Sequence, residues 1–334
     1  MVCRFLSVAL AAIVFLSAAV KARAETRELR IAIQDGLAYL PFIVMDKEKL
    51  VEKHAKAAGL PEPKITWARL ANSVIMNDGL LSGNLDIATG GVPSLLVLWS
   101  KTKGTMNVKS IGAWASVPNY LNVRNPAVKD VRDLTDKDRI AVPAVKVSNQ
   151  AMYLQMLAEK VFGEAEYQRL DTLTVSLAHS DAMKAFLLPG SEITAHFTIE
   201  PYASRERAAG AKTLMSSFDI LGGPATTSVM WATAKFHDEN PKTYAAFVAA
   251  IQEAFAFIER DKKAAADYYI RVTGTKEAPE DIIAMLGDPL LKFGLAPSNI
   301  MSQADFMYRK GLIKVRPESW KDLFFPNVHA SAGS

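Results

Sequence analysis

Between Ile65 and Pro93 the chain alternates apolar blocks with short polar breaks: ITWARLANSVIMNDGLLSGNLDIATGGVP. The pattern predicts a strand, a polar loop, a helix, a tight turn, a short strand and a glycine loop. Val74, Ile75, Leu80 and Leu81 are the apolar helix positions, Ser82-Gly83-Asn84 ends the helix, and Leu85-Asp86-Ile87-Ala88 is the strand. Both strands lead into small polar residues, Ala71-Asn72-Ser73 and Thr89-Gly90-Gly91. Ligands of open α/β sheets bind outside the carboxyl ends of the strands. The segment therefore predicts two edges of a small-molecule site.

The same rhythm continues on both sides. Leu29, Ile31 and Ile33 alternate within a first strand from Glu28 to Ile33. The loop from Gln34 to Pro41 follows, then one helix from Phe42 to Ala58, ended by Gly59 and two prolines. A helix is expected from Pro93 to about Lys101, a strand from Val108 to Ala113, and extended chain from Tyr120 to Val123. Arg139 to Pro143 opens a second β-loop-α series. Its loop, Ala144 to Asn149, enters a helix capped by Ser148 or Asn149, with Met152, Tyr153, Met156, Leu157 and Val161 as the buried stripe. Short strands are expected at Val175–Leu177, Ile193–Phe197 and Ser228–Ala232, with a helix over Ser180–Leu188. Beyond Asn240-Pro241 the spacing is helical, through Tyr244, Phe247, Val248, Ile251, Phe255 and Ile258, and further helices are expected to about Lys310. Two such series followed by helices predict two α/β lobes with mostly parallel sheets. The C-terminal helices are expected to return to the first lobe.

The first 24 residues read differently. Arg4 is followed by an apolar run from Phe5 to Val20, and Ala22-Arg23-Ala24 fits an A-x-A cleavage site. The run is 16 residues, short of the roughly 20 that a membrane helix needs. A cleavable export signal over residues 1–24 is expected, leaving 310 residues. Cys3 is the only cysteine, so the exported chain would have none. That excludes disulfides, cysteine-held zinc, thiol catalysis and iron–sulfur chemistry for it. Its charge would be 36 basic against 35 acidic residues, which gives no reason to expect nucleic acid or a membrane surface as partner. Phosphate-loop, dinucleotide-loop and nucleophile-elbow signatures are all missing.

Several pieces in order carry a resemblance. They are the export signal, the first strand with its short loop, and Trp67 followed by Asn72-Ser73 before a helix. Then come Gly83-Asn84-Leu85-Asp86-Ile87-Ala88 with Gly91-Val92-Pro93, Val131-Arg132-Asp133-Leu134, and Ala232-Thr233-Ala234-Lys235-Phe236 before Asn240-Pro241. In these the chain resembles periplasmic solute-binding proteins of ABC importers, of the aliphatic-sulfonate, taurine and nitrate type. The resemblance implies a type II two-lobed fold, each lobe a mostly parallel sheet flanked by helices, with ligand held in the cleft between. It implies lobe one at residues 25–117, lobe two at 118–224, and a return to lobe one at 225–334, with hinges near Ser116–Asn119 and Pro224–Ser228. It also implies a periplasmic protein, monomeric, with no cofactor or metal, that binds without chemistry. Its partners would be a small-molecule ligand, a membrane permease and, through that, an ATPase.

The β-to-α loops supply the candidate ligand residues. Gln34 and Tyr39 lie in the first; Tyr39 either meets ligand or anchors the loop on Pro41. Asn72 and Ser73 stand at a helix start, where they cap and also offer N–H groups to an anion. Thr89 and Gly90 permit close backbone approach or only a tight turn. Trp114 is either a cleft wall or core, and Ser116 follows it. Ser148 and Asn149 precede a helix as Asn72 and Ser73 do, so two helix starts would face each other around an anion. His196, Glu200 and Tyr202 form a last group, with Thr226 near the return hinge. His196 with Glu200 is too few ligands for zinc, and His54, His179, His237 and His329 show no ligand spacing. Arg69 has the strand phase of a solvated residue.

Three functions are in view. The first is capture of a small organic or inorganic anion for an importer. The second is a binding protein for a neutral aromatic or pyrimidine ligand, stacked among Tyr39, Trp114, Phe197 and Tyr202. The third is an enzyme similar to thiamine-pyrimidine synthases, which the leader and the missing cysteines oppose.

Overall fold

The computed structural model describes residues 25–334; the expected export signal lies outside the described residues. In chain order the elements are β1 (Glu28–Ile33), α1 (Leu40–Lys47), α2 (Leu50–Ala57), β2 (Lys64–Arg69), α3 (Ser73–Leu81), β3 (Ala88–Gly91), α4 (Val92–Thr102), β4 (Lys109–Ser116) and β5 (Tyr120–Val123). There follow β6 (Ile140–Val142), α5 (Asn149–Phe162), β7 (Thr174–Ser176), α6 (His179–Leu187), β8 (Ala195–Thr198), α7 (Tyr202–Ala208), β9 (Lys212–Ser216) and α8 (Ser217–Leu221). The chain ends with β10 (Ser228–Ala232), α9 (Ala234–Glu239), α10 (Pro241–Arg260), α11 (Lys262–Thr273), α12 (Pro279–Leu286), β11 (Lys292–Phe293) and α13 (Ile300–Arg309). Among the described residues no helix is long and apolar enough to cross a membrane.

Two sheets organise these elements into a two-lobed α/β fold. The parallel pair β1 and β2 joins the sheet β3-β10-β4-β11 through a parallel bridge between Ile31 and Ile87. The second sheet has the order β7-β6-β8-β5-β9. In each sheet the strand that arrives from the other lobe runs antiparallel to its neighbours: β10 against β3 and β4, β5 against β8 and β9. Between β4 and β5 only Val117-Pro118-Asn119 cross.

The motif Gly83 to Ala88 has a plain structural cause. Asp86 takes the backbone N–H and two guanidinium nitrogens of Arg30, while Gly83 offers its carbonyl to the same guanidinium. This fork-on-carboxylate pairing ties the entry of β3 to β1.

Several elements depart from the sequence reading. The helix expected from Phe42 to Ala58 is two helices, because Lys49 takes a left-handed conformation at φ 50°. Thr89-Gly90-Gly91, expected as a loop, is strand β3 and pairs with β10. Of the four apolar positions expected on α3 only Leu80 is buried, together with Met76, while Val74, Ile75 and Leu81 are exposed. Asn77 fixes that face, accepting from Nε1 of Trp231 and donating to the carbonyl of Ser94.

The core lies in two main parts. One fills the space between the first sheet and α1, α10, α11 and α12, around Phe42, Trp114 and Phe247. The other runs from α4 through α13 into α5 and β8, around Trp99, Phe306, Tyr153 and Phe197, and so spans both lobes. α13 joins the lobes a second way, since Arg309 and Lys310 pair with Glu159 of α5.

Candidate functional site

Four helices begin at one place. The starts of α3 (Ser73), α4 (after Gly91), α5 (Asn149) and α6 (His179) line a cavity of about 50 Å³ between the lobes. By the volume one water occupies in such a measure, that is room for about four water-sized groups. Gln34, Asn119, Gln150 and Ser228 complete its polar wall, and Ala38, Tyr39, Val117, Pro143 and Ile199 its apolar wall. Among the described residues no Asp, Glu, Lys or Arg is on that wall. Helix starts carry unpaired N–H groups and a partial positive charge, so the cavity is donor-rich without a formal cation.

Several wall residues are held from behind. Asn72 accepts from the N–H of Val74 and Ile75 and caps α3; Ser148 caps α5 through the N–H of Ala151. Ser73 is buried and its Oγ is 2.8 Å from Oγ of Ser94. Asn149 donates through Nδ2 to the carbonyl of Thr227 at 2.6 Å, and its buried Oδ1 has no protein donor. A polar atom buried without a partner costs about 1–3 kcal/mol, so this wall presents an acceptor as well as donors. Gly90 has φ 154°, and a Cβ there would stand 2.6 Å from Cβ of Ser73. Tyr39 lies against Trp114 at 5.2 Å and Phe42 at 6.1 Å. Burial pushes its hydroxyl pKa up, against a side-chain hydrogen bond with Thr89.

The lobes meet directly over the cavity. The N–H of Leu37 donates to the carbonyl of Glu200 at 3.1 Å, across from Gly36, where a Cβ would collide with Ile199. Farther out, Arg205 of α7 donates to both carboxylate oxygens of Glu277 and to Oγ1 of Thr275, beyond α11. A second cavity of about 370 Å³ lies there, with Asp35, Arg69, Met183, Tyr202, Arg205 and Tyr269 on its wall. Arg69 pairs with Asp35 at 2.5 Å in the open.

Of the residues singled out from sequence, the cavity gathers Gln34, Tyr39, Asn72, Ser73, Gly90, Ser148 and Asn149. The others sit elsewhere. Trp114 is fully buried, donating from Nε1 to the carbonyl of Ala38, and is floor beneath Tyr39 rather than wall. Thr89 donates to the carbonyl of Ala32, and Ser116 to that of Ala225. Thr226 and Ser298 exchange two hydrogen bonds, Thr226 N–H to the Ser298 carbonyl and Ser298 N–H to Oγ1 of Thr226. Glu200 accepts from Arg207 and the N–H of Ser204. Tyr202 stacks on His179 at 6.1 Å.

His196 is fully buried and partners Glu206, not Glu200, at 2.5 Å. Its other nitrogen meets Nδ1 of His179 at 3.0 Å. Burial pushes the Glu206 carboxyl up to about 8 and the His196 imidazole down to about 3. Burial and the neighbouring His196 also push His179 well down. Sequence reasoning missed His179, Gln150 and Asn119 on the wall. His179 and Gln150 each stand at or one residue past a helix start, the signal that had found Ser73 and Asn149. Among the described residues no group of three or more His, Cys, Asp or Glu side chains is placed to hold a metal ion.

Solved structures share this architecture. The alkanesulfonate-binding protein SsuA from Xanthomonas axonopodis pv. citri, bound to MOPS, superposes with TM-score 0.68 at 20% identity, over 88% of this chain and 96% of that one. The periplasmic aliphatic sulphonate binding protein SsuA from Escherichia coli gives 0.66 at 19%, over 90% and 92%. The periplasmic nitrate-binding protein NrtA from Synechocystis PCC 6803 gives 0.66 at 14%, over 89% and 84%. No curated protein matches the chain at a significant level. The model of the NMT1-like family matches residues 22–273, more than half of the sequence, and the chain, built on the periplasmic binding protein fold, belongs to that family.

Proposed function

We propose that this protein is the extracytoplasmic binding component of an ABC importer, and that it captures a small anion of the sulfonate, nitrate or carboxylate class between its lobes. The observation that carries the reading is the cavity wall. Four helix starts and neutral side-chain donors surround a space sized for one oxyanion group, with no carboxylate to repel it. The similar solved structures whose names state an alkanesulfonate, a sulphonate or a nitrate support the same class. An organic tail on such an anion would extend toward the second, wider cavity beside Tyr202. The aromatic-ligand reading is weaker, because among the described residues Tyr39 is the only aromatic six-membered ring on the wall and it is already packed on Trp114.

The role is binding and delivery, not catalysis: export to the periplasm by the leader, action as a monomer, and presentation of the ligand-bound form to a permease driven by an ATPase. Mass spectrometry of the protein purified under native conditions, followed by calorimetry with sulfonates, nitrate, carboxylates and pyrimidines, tests it. Anion binding with one site per chain is expected. A pyrimidine bound in place of every anion would overturn the anion assignment.

A further inference from the structure

Behind the cavity a line of polar groups runs into the core of the second lobe: Gln150, His179, His196, Glu206 and Asn122. The far end has a fixed direction. Nδ2 of Asn122 donates to the carbonyl of Ala203, which only accepts, and also to Oε2 of Glu206 at 2.9 Å. Oε2 is therefore an acceptor, and a proton on Glu206 belongs on Oε1, facing Nδ1 of His196. The near end is fixed as well. Asn119 turns Nδ2 to the carbonyl of Val117 at 3.5 Å and accepts on Oδ1 from Nε2 of Gln150 at 3.1 Å. So Nε2 of Gln150, 3.3 Å from Nε2 of His179, is a donor and accepts nothing from that ring.

With both rings neutral two proton arrangements carry the line from Glu206 to His179, and only the inward one also satisfies the contact with Gln150. In the outward one, Glu206 O–H donates to Nδ1 of His196, Nε2–H of His196 donates to Nδ1 of His179, and Nε2–H of His179 faces the Gln150 donor, so that only an acceptor from the cavity satisfies it. In the inward one, Gln150 donates to Nε2 of His179, Nδ1–H of His179 donates to Nε2 of His196, and Nδ1–H of His196 donates to a Glu206 carboxylate. The outward form holds one more proton, the one on Glu206.

We propose that Glu206, through His196, sets the tautomer of His179, so that the protonated line offers Nε2–H of His179 to an anionic oxygen in the cavity and the deprotonated line withdraws it. The inference rests on the anion-binding reading above and adds its proton linkage. Burial favours the neutral glutamate, which holds its proton up to about pH 8. Other charged groups face the line only from its edges. Arg207 on α7 favours the ionised glutamate and Glu200 opposes it. Arg207 is itself held by Glu200 and lies over the ring of Tyr120 on β5. On α6, Asp181 and Lys184 pair with each other at the surface. Tyr202 stacks on His179 from α7, and β6 (Ile140-Ala141-Val142) brings no titratable group.

The test uses protein labelled with 15N in histidine and methanesulfonate as probe, because a sulfonate stays ionised throughout the range examined. At pH 6.5 both rings are expected to carry the proton on Nε2, changing to Nδ1 as pH rises through about 8. Methanesulfonate affinity is expected to fall over the same midpoint, approaching about tenfold per pH unit for one coupled proton. In Glu206→Gln the amide donates to Nδ1 of His196 and accepts from Asn122, so the Nε2–H tautomers and the affinity should become independent of pH. Nδ1–H tautomers at pH 6.5, or an unchanged midpoint in Glu206→Gln, overturn the proposal. Tautomers as expected without methanesulfonate, nitrate or acetate binding at any pH overturn the anion reading instead, since the spectra report the line without ligand.

Discussion

Gly91 sits so close to Asn149 that a Cβ built on the glycine would lie 2.4 Å from Oδ1 of the asparagine. Its φ of −74° is ordinary, so what this position needs is space, not backbone freedom. The pair brings the starts of α4 and α5 together across the cleft. Gly91→Ala is expected to push the lobes apart and lower ligand affinity at least about tenfold, the scale of a 1–3 kcal/mol overpacking cost, with little change in unfolding midpoint. Calorimetry beside urea unfolding checks it; equal affinity would remove Gly91 from the closing surface.

Asn72 and Ser73 separate capping from binding. Losing the Asn72 cap should cost about 1 kcal/mol of stability. If these residues also face an anion, Asn72→Ala with Ser73→Ala should cost a further 1.5–3 kcal/mol, roughly, of binding. Asn72→Asp restores the cap but sets a negative charge on the cavity wall. It should fold as well as the parent and bind the anion worse. Equal binding by all three proteins would leave the pair a structural role only.

Arg205 and Glu277 latch the outer edge of the cleft, the carboxylate nearly buried at 6% exposure. Removing one partner of such a pair acts mainly on dissociation. Arg205→Ala is expected to speed ligand release about tenfold or more while association changes little, as stopped-flow kinetics would show. An unchanged release rate would mean that the edge does not hold the lobes.

Trp114 gives a clean contrast. Trp114→Ala removes a fully buried side chain and should cost about 3–5 kcal/mol of stability. Trp114→Phe, losing chiefly the Nε1 bond to Ala38, should be milder by at least half and leave affinity within about twofold, because the ring does not reach the cavity. A large affinity loss in the phenylalanine variant would place the indole in the ligand site after all.

Stability should depend on pH through the buried line. From about pH 4.5 to 8 the unfolded chain has lost the Glu206 proton that the native protein keeps, so rising pH destabilises. Below pH 6.5 the unfolded imidazoles of His196 and His179 are protonated and the native ones are not, so rising pH stabilises, down to about pH 3 for His196. Two histidines outweigh one glutamate below 6.5, and only Glu206 acts above it. From these groups stability should peak near pH 6.5 and fall toward pH 8. Glu206→Gln should flatten that alkaline fall; thermal melts across pH 4–9 would read it.

Much of the plan was legible in sequence because it rests on local signals. Alternation marked β1, and the small polar residues at helix starts marked Ser73, Ser148 and Asn149. What failed was long-range or two-sided. α3 is apolar on several faces, so only its neighbours, Trp231 and Ser94, decide that Asn77 and Met76 turn inward. β9 and α7 passed unnoticed among charged residues, and with them Glu206, whose importance comes from burial beneath β5 and β8. His196 was visible as a strand-end histidine, but its partner ten residues on depends on how α7 folds back.

The hydrogen bonds of Thr226 with Ser298, with Gln303 donating to the Thr226 carbonyl and Asn299 to that of Leu221, bind the head of α13 to the returning crossover. The other end of α13 grips α5 through Arg309 and Lys310. The covalent chain passes between the lobes twice, yet mechanically the joint has three leaves, the third held by side chains alone. Two leaves permit both swing and twist; a third beside them resists twist and leaves a single swing. If the lobes close on a ligand between Ser73 and Asn149, that ligand would meet the same opposing face each time, and selectivity would be set partly by a helix that lines no part of the cavity.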